Sequence, residues 1–158
     1  MDKSLIEIAK SVIQTETDSI LKLKDRVDNN FVKACKLLAS CKGKVIVIGM
    51  GKSGHIGRKI AATLASTGTP AFFVHPGEAG HGDLGMVNAD DVLILISYSG
   101  ESDEITTLLP SIKQLNIPIL AMTGNTKSII AKTADIHLDV SVEQEACPHN
   151  LTPTSSTT

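Results

Sequence analysis

The sequence predicts an α/β fold: a doubly wound five-stranded parallel sheet preceded by N-terminal helices. Three observations carry this. Short, largely apolar runs recur at 45–48, 71–74, 92–96, 119–122 and 136–140, and the continuous β-branched run 45–48 suits a parallel strand covered on both faces. Helix-length or turn-rich stretches separate them, the alternation that builds a parallel sheet. Aromatic residues make up only 3% of a chain rich in Ile, Leu, Val and Ala, as a layered core requires.

Residues 3–41 are expected to form two helices. Leu5, Ile8, Ala9, Val12 and Ile13 recur at helical spacing, as do Ile20, Leu21, Leu23 and Val27. Asn29 and Asn30 mark a break, after which Phe31, Ala34, Cys35, Leu37 and Leu38 form a second apolar face. Gly43 is the expected helix stop. The first stripe precedes any sheet that could cover it. Residues 1–43 are therefore expected to pack on the domain or on a partner subunit, and a homo-oligomer is expected.

From Lys44 the rhythm is strand, turn, helix. The first strand enters the turn Gly49-Met50-Gly51-Lys52-Ser53-Gly54, and a helix follows through Ile56, Ile60, Ala61, Leu64 and Ala65 to Gly68. Pro70 opens the second strand, and the connection 75–91 is spaced by Gly77, Gly80, Gly82 and Gly85. The third strand leads into the polar turn 97–102 and a helix to about Leu115, and Pro118 opens the fourth strand. A short helix at 128–133 and the last strand complete the series. Residues 154–158, Thr-Ser-Ser-Thr-Thr after Pro153, are the hydroxyl cluster expected at a helix start, so the domain 44–158 is expected to be incomplete at its C-terminus.

Composition narrows the function classes. At 158 residues there is room for one domain with a substantial core. A net charge of -2 with interspersed signs offers no nucleic-acid or membrane surface. No apolar run approaches the ~20 residues of a membrane span, and Met1-Asp2-Lys3-Ser4 lacks the start of a secretory signal. Cys35, Cys41 and Cys147 lack metal-ligand spacing and read as small apolar filler. A cytoplasmic, reduced protein without cofactor is expected.

The first glycine turn is built for an anion. Gly49, Gly51 and Gly54 allow a sharp turn and close ligand approach, and the following helix points its free N–H groups and positive dipole end outward. Lys52 and Ser53 add a charge and a hydroxyl. The turn matches G-x-G-x-x-G, but a dinucleotide site wants an acid at the end of the second strand, where His75 stands. Gly51-Lys52-Ser53 looks like the end of a P-loop, yet Ile46 occupies the position of its first glycine.

The turn Ser97-Tyr98-Ser99-Gly100-Glu101-Ser102 supplies more N–H groups and three serine hydroxyls at the same sheet edge, enough to hold a phosphate without metal. The terminal hydroxyls are a third arc. In the 75–85 loop, His75 and His81 are candidate acid, base or metal groups. Glu101, Asp103 and Glu104 fall in the first turn of a helix, where acids commonly serve the dipole. Glu104, Glu143 and Glu145 remain candidates for moving protons.

The stretches GMGKSGHIGRKIAATLASTGTPAFFVHPGEAGHGDLGM, S-x-S-G-E-S and EACPHNLTPTSSTT, in this order, resemble the sugar isomerase (SIS) domain family and its arabinose-5-phosphate isomerases, over 41–158. The resemblance implies a flavodoxin-like SIS fold and the interconversion of D-ribulose 5-phosphate and D-arabinose 5-phosphate. That reaction supplies the precursor of the lipopolysaccharide sugar Kdo. A tetramer is also implied. Lys52, Glu104, Glu145 and His81 would be catalytic. Gly51, Ser53, Gly68, Thr69, His75, His81, Ser97, Ser99, Gly100, Ser102, Ser155, Ser156 and Thr157 would bind substrate, and His75 would carry an inhibitory zinc.

Two departures accompany the resemblance. Tyr98 and His149 stand where a small polar and an apolar residue are expected. The family also continues into a further helix, a catalytic histidine and usually a pair of CBS domains. A non-catalytic sugar-phosphate sensor is the rival reading, against which residues 1–43 offer no helix-turn-helix or basic stretch. Another sugar-phosphate isomerase of this fold is a third.

Overall fold

The computed structural model describes residues 2–149 and 151–158, so Asn150, inside the last resembling stretch, lies outside the described residues. Strands β1 (Val45–Gly49), β2 (Ala71–Val74), β3 (Val92–Ile96), β4 (Ile119–Thr123) and β5 (Ile136–Asp139) form one sheet in the order β2-β1-β3-β4-β5. Every pairing is parallel. The central strands β1 and β3 are buried at every position, which is why they read as unbroken apolar runs.

Side chains alternate across the sheet with period two. Ile46, Ile48, Leu93 and Leu95 face Ile105, Leu109, Ile112 and Ile130. Val45, Val47, Ile94 and Ile96 face Ala34 and Ala61. The first layer thus comes from α5 (Asp103–Thr106), α6 (Leu109–Gln114) and α7 (Ile129–Thr133), joined by α4 (Pro76–Gly80) through Ala79. The second comes from α2 (Asn29–Ala39) and α3 (Gly51–Ser66).

Several boundaries differ from the expectation. The break after α1 (Asp2–Leu23) and its 3-10 extension Lys24–Arg26 falls at Asp28, whose carboxylate accepts from the Asn30 N–H. Asn29 and Asn30 are inside α2, because Asp28 is the N-cap. Gly43 is no helix stop, since α2 ends at Ala39. A Cβ at Gly43 would lie 2.2 Å from Asp91 Oδ1, so glycine is required there by close approach to Asp90 and Asp91, the residues just before β3. The connection 75–91 contains α4 and a 3-10 turn, Asp83–Met86. The single helix expected after residue 102 is two, because Pro110 has no N–H to continue the ladder.

Strand order reverses direction between β1 and β3, and ligand crevices form beyond the carboxyl ends of strands at such a point. On α1, Leu5 and Ile13 remain 62% and 65% exposed, so within one chain most of its apolar stripe is uncovered. Only its C-terminal part reaches the sheet edge, against the 3-10 turn Ser155–Thr157. Among the described residues no helix is long and apolar enough to cross a membrane.

Candidate functional site

At the end of β1 the chain turns through Gly51, whose φ of 56° favours glycine. Met50 caps α3 with no side-chain hydrogen bond, leaving the leading N–H groups of a 16-residue helix without a side-chain acceptor. A Cβ at Gly54 would lie 2.8 Å from the Gly49 carbonyl, so this glycine lets α3 start close against its own strand. Lys52 is exposed in the first turn and Ser53 half-buried beside it.

Ser53 lines a cavity of ≈ 180 Å³ walled by Ile96, Met122, Ser141 and the terminal residues Ser155–Thr158. Ile20 and Leu23 of α1 close it from above. Ser155 is 6% exposed and its Oγ has no hydrogen-bond partner. A buried hydroxyl without partner is costly. Ser155 and Ser53, in the first turn of α3, line the same cavity.

The second turn behaves differently. Ser97, 2% exposed, bonds Ser102 through their hydroxyls at 2.7 Å, and its Oγ accepts from the Gly100 N–H at 3.1 Å. Ser99 Oγ accepts from the Glu101 N–H. Glu101 caps α7, accepting from the Ile129 N–H at 2.9 Å. Gly100 has φ 67°, and a Cβ there would fall 2.0 Å from Ser128 Oγ. These hydroxyls brace the turn; for Ser97, Ser99 and Ser102 the structure shows this bracing task.

Of the candidate carboxylates, Glu104 and Glu145 contrast. Glu104 is exposed in α5 and, among the described residues, makes no side-chain hydrogen bond. Glu145 Oε2 accepts from the Thr154 N–H (2.7 Å), the Thr154 hydroxyl (3.1 Å) and the Ser156 N–H (3.2 Å). Partial burial pushes the Glu145 carboxyl up, but the bonds from Ser156 and Thr154 together outweigh it and hold it below its ordinary value. Glu145 therefore shapes the terminal hydroxyl turn.

His75 caps α4, its Nδ1 accepting from the Gly77 N–H at 3.1 Å. The neutral ring then carries its proton on Nε2. Among the described residues no three His, Cys, Asp or Glu side chains gather to hold a metal. The zinc that the resemblance implies at His75 thus finds no complete set of protein ligands among these residues. Instead His75 and Gly51 line a ≈ 260 Å³ cleft with His55, Arg58 and Phe73. His81 ends α4 and is exposed.

Gly68 and Thr69 are not brought to the site within one chain. They precede β2, and Pro70 sits beside Val45 at the start of β1, on the opposite sheet edge. The sequence reading also missed residues. Ile20 and Leu23 carried only a helical-core signal, and nothing local marked Arg58, which lies 4.3 Å over the Phe73 ring. Cys35 is exposed rather than packed as filler. Backbone hydrogen bonds at Leu151 and His149 lower the Cys147 thiol to about 7.

The SIS domain family matches residues 37–158. Arabinose 5-phosphate isomerase KdsD of Pseudomonas aeruginosa is 60% identical over 153 residues, which is 97% of this chain and 47% of that protein. The Francisella tularensis protein of the same name is 58% identical over 98% of this chain and 48% of its own length. The chain thus spans about half the length of the curated relatives it matches. An E. coli CFT073 protein solved in complex with arabinose 5-phosphate superposes with a TM-score of 0.95 at 44% identity, over 99% of this chain and 84% of that one. With the parallel sheet, the switch-point cavity and these matches together, the chain belongs to the SIS domain family.

Proposed function

We propose that this chain is the sugar-phosphate domain of an aldose–ketose isomerase that interconverts D-ribulose 5-phosphate and D-arabinose 5-phosphate. One observation carries the phosphate half of this reading: Ser155, whose buried hydroxyl has no partner, lines a cavity together with Ser53 of the first turn of α3. Free N–H groups, the helix dipole and the Ser53 and Thr157 hydroxyls converge there, which suits a phosphate dianion. The choice of sugar rests on the high identity to proteins named arabinose 5-phosphate isomerase.

The reaction moves a proton between C1 and C2 through an enediol, so it needs a base and a cation near the developing oxyanion. Lys52 supplies the cation. Glu104, with its carboxylate unengaged, moves the proton. Glu145 is held by three donors and keeps the phosphate arc in place. His81 assists ring opening. We place the reaction in the cytoplasm, on the route to Kdo, in a homo-oligomer whose contacts cover the exposed apolar face of α1.

Replacing Glu104 by Gln tests the assignment. Turnover should fall by about 10²-fold or more while sugar-phosphate binding persists. Unchanged turnover would contradict the role of Glu104. In a non-catalytic sensor domain the substitution would alter neither property.

A further inference from the structure

Glu145 lies six residues beyond the end of β5, in a stretch with no regular secondary structure. An irregular segment places a carboxylate reproducibly only where something outside it fixes the backbone. Three side chains do so. Arg26 Nη1 donates to the Ser141 carbonyl, and its Nε lies 3.9 Å from Asp139 Oδ2. Tyr98 Oη accepts from the Val142 N–H at 3.1 Å. Lys22 pairs with Glu143.

These ties are unequal. Lys22 and Glu143 are 48% and 66% exposed, and surface pairs of that kind contribute little. Arg26 and Asp139 are 24% and 33% exposed, and the guanidinium holds two groups at once. Asp139 in turn accepts from the Ser141 N–H at 2.9 Å, closing a knot around the strand exit. The 3-10 turn that carries Arg26 buries no residue, so Arg26 stands outside both core clusters.

We propose that Arg26 is a positioning residue for Glu145, tying the N-terminal helices to the strand exit and so setting the terminal hydroxyls around the cavity. The N-terminal helices then belong to the site as well as to any subunit contact. The catalytic consequence rests on the isomerase reading; the geometric one does not.

The test uses Arg26→Met and Arg26→Lys in the full chain, read by amide hydrogen exchange, carboxyl NMR titration and turnover. Arg26→Met should speed exchange of the Thr154 and Ser156 amides, the donors to Glu145, by about tenfold or more, while Val47 and Leu95 stay protected. Glu145 should titrate closer to its ordinary value, and kcat should fall by about tenfold or more. Arg26→Lys should restore part of each. Unchanged Thr154 and Ser156 exchange and an unchanged Glu145 titration would overturn the proposal. If the Met variant unfolds, Asp139→Asn removes the paired charge at constant volume and must give the same pattern. Should the unaltered chain bind no sugar phosphate, the isomerase reading fails, while the exchange result still decides the tether.

Discussion

Ser155 and Gly100 make opposite demands on the same sheet edge. Ser155→Ala removes a buried hydroxyl that has no partner. Without ligand its melting temperature should hold or rise, by the equivalent of at most about 1 kcal/mol. Its affinity for sugar phosphate should fall about five- to tenfold, as calorimetry would read. Gly100→Ala must seat a Cβ 2.0 Å from Ser128 Oγ at a positive φ. It should cost on the order of 2 kcal/mol in chemical denaturation. The hydroxyl-rich turns were legible as polar clusters at helix starts. Which hydroxyls face a ligand was not: Ser97 and Ser102 bond each other, and that depends on turn geometry rather than residue type. Gly68 and Thr69 show the same limit, for their place on the far sheet edge follows from strand direction.

Among the elements, β2 and β3 were read to the residue because a short unbroken apolar run between turn residues has few other uses. Helix ends were read less well. Asp28, and not Asn29 or Asn30, makes the break, and Pro110 splits the helix expected to run to about Leu115. The exit of β5 and the irregular stretch after it had no periodic signal at all, yet they hold two carboxylates with lowered values, Asp139 at the strand's end and Glu145 beyond it. Burial raises Asp139, and bonds from Ser141 with the charges of Arg26 and His137 more than offset this. Glu145 behaves likewise through Ser156 and Thr154. Carboxyls depressed in the folded state stabilise it fully above their unfolded values near pH ~4, and that stabilisation is lost as pH falls through the lower folded values. The melting temperature should therefore drop from pH ~5 to ~3, and Glu145→Gln should flatten the slope.

For the whole molecule, sheet order decides where chemistry can occur, and the reversal between β1 and β3 puts the α3 start and the 97–102 turn on one edge. The alternation of strands and helices made that architecture legible. The uncovered face of α1 is a molecular property too, since its burial depends on what else is present. Ile13→Asp, at a position 65% exposed in one chain, should leave the fold intact by circular dichroism and lower the mass in light scattering. An unchanged mass would remove α1 from the subunit contact.

Whether this edge binds and isomerises a pentose phosphate is tested most directly by NMR of the chain with arabinose 5-phosphate in D2O. The expected result is amide shifts at Gly51, Ser53 and Ser155, with ribulose 5-phosphate forming and deuterium entering at C2. Saturating sugar phosphate that leaves those three amides unmoved would contradict it.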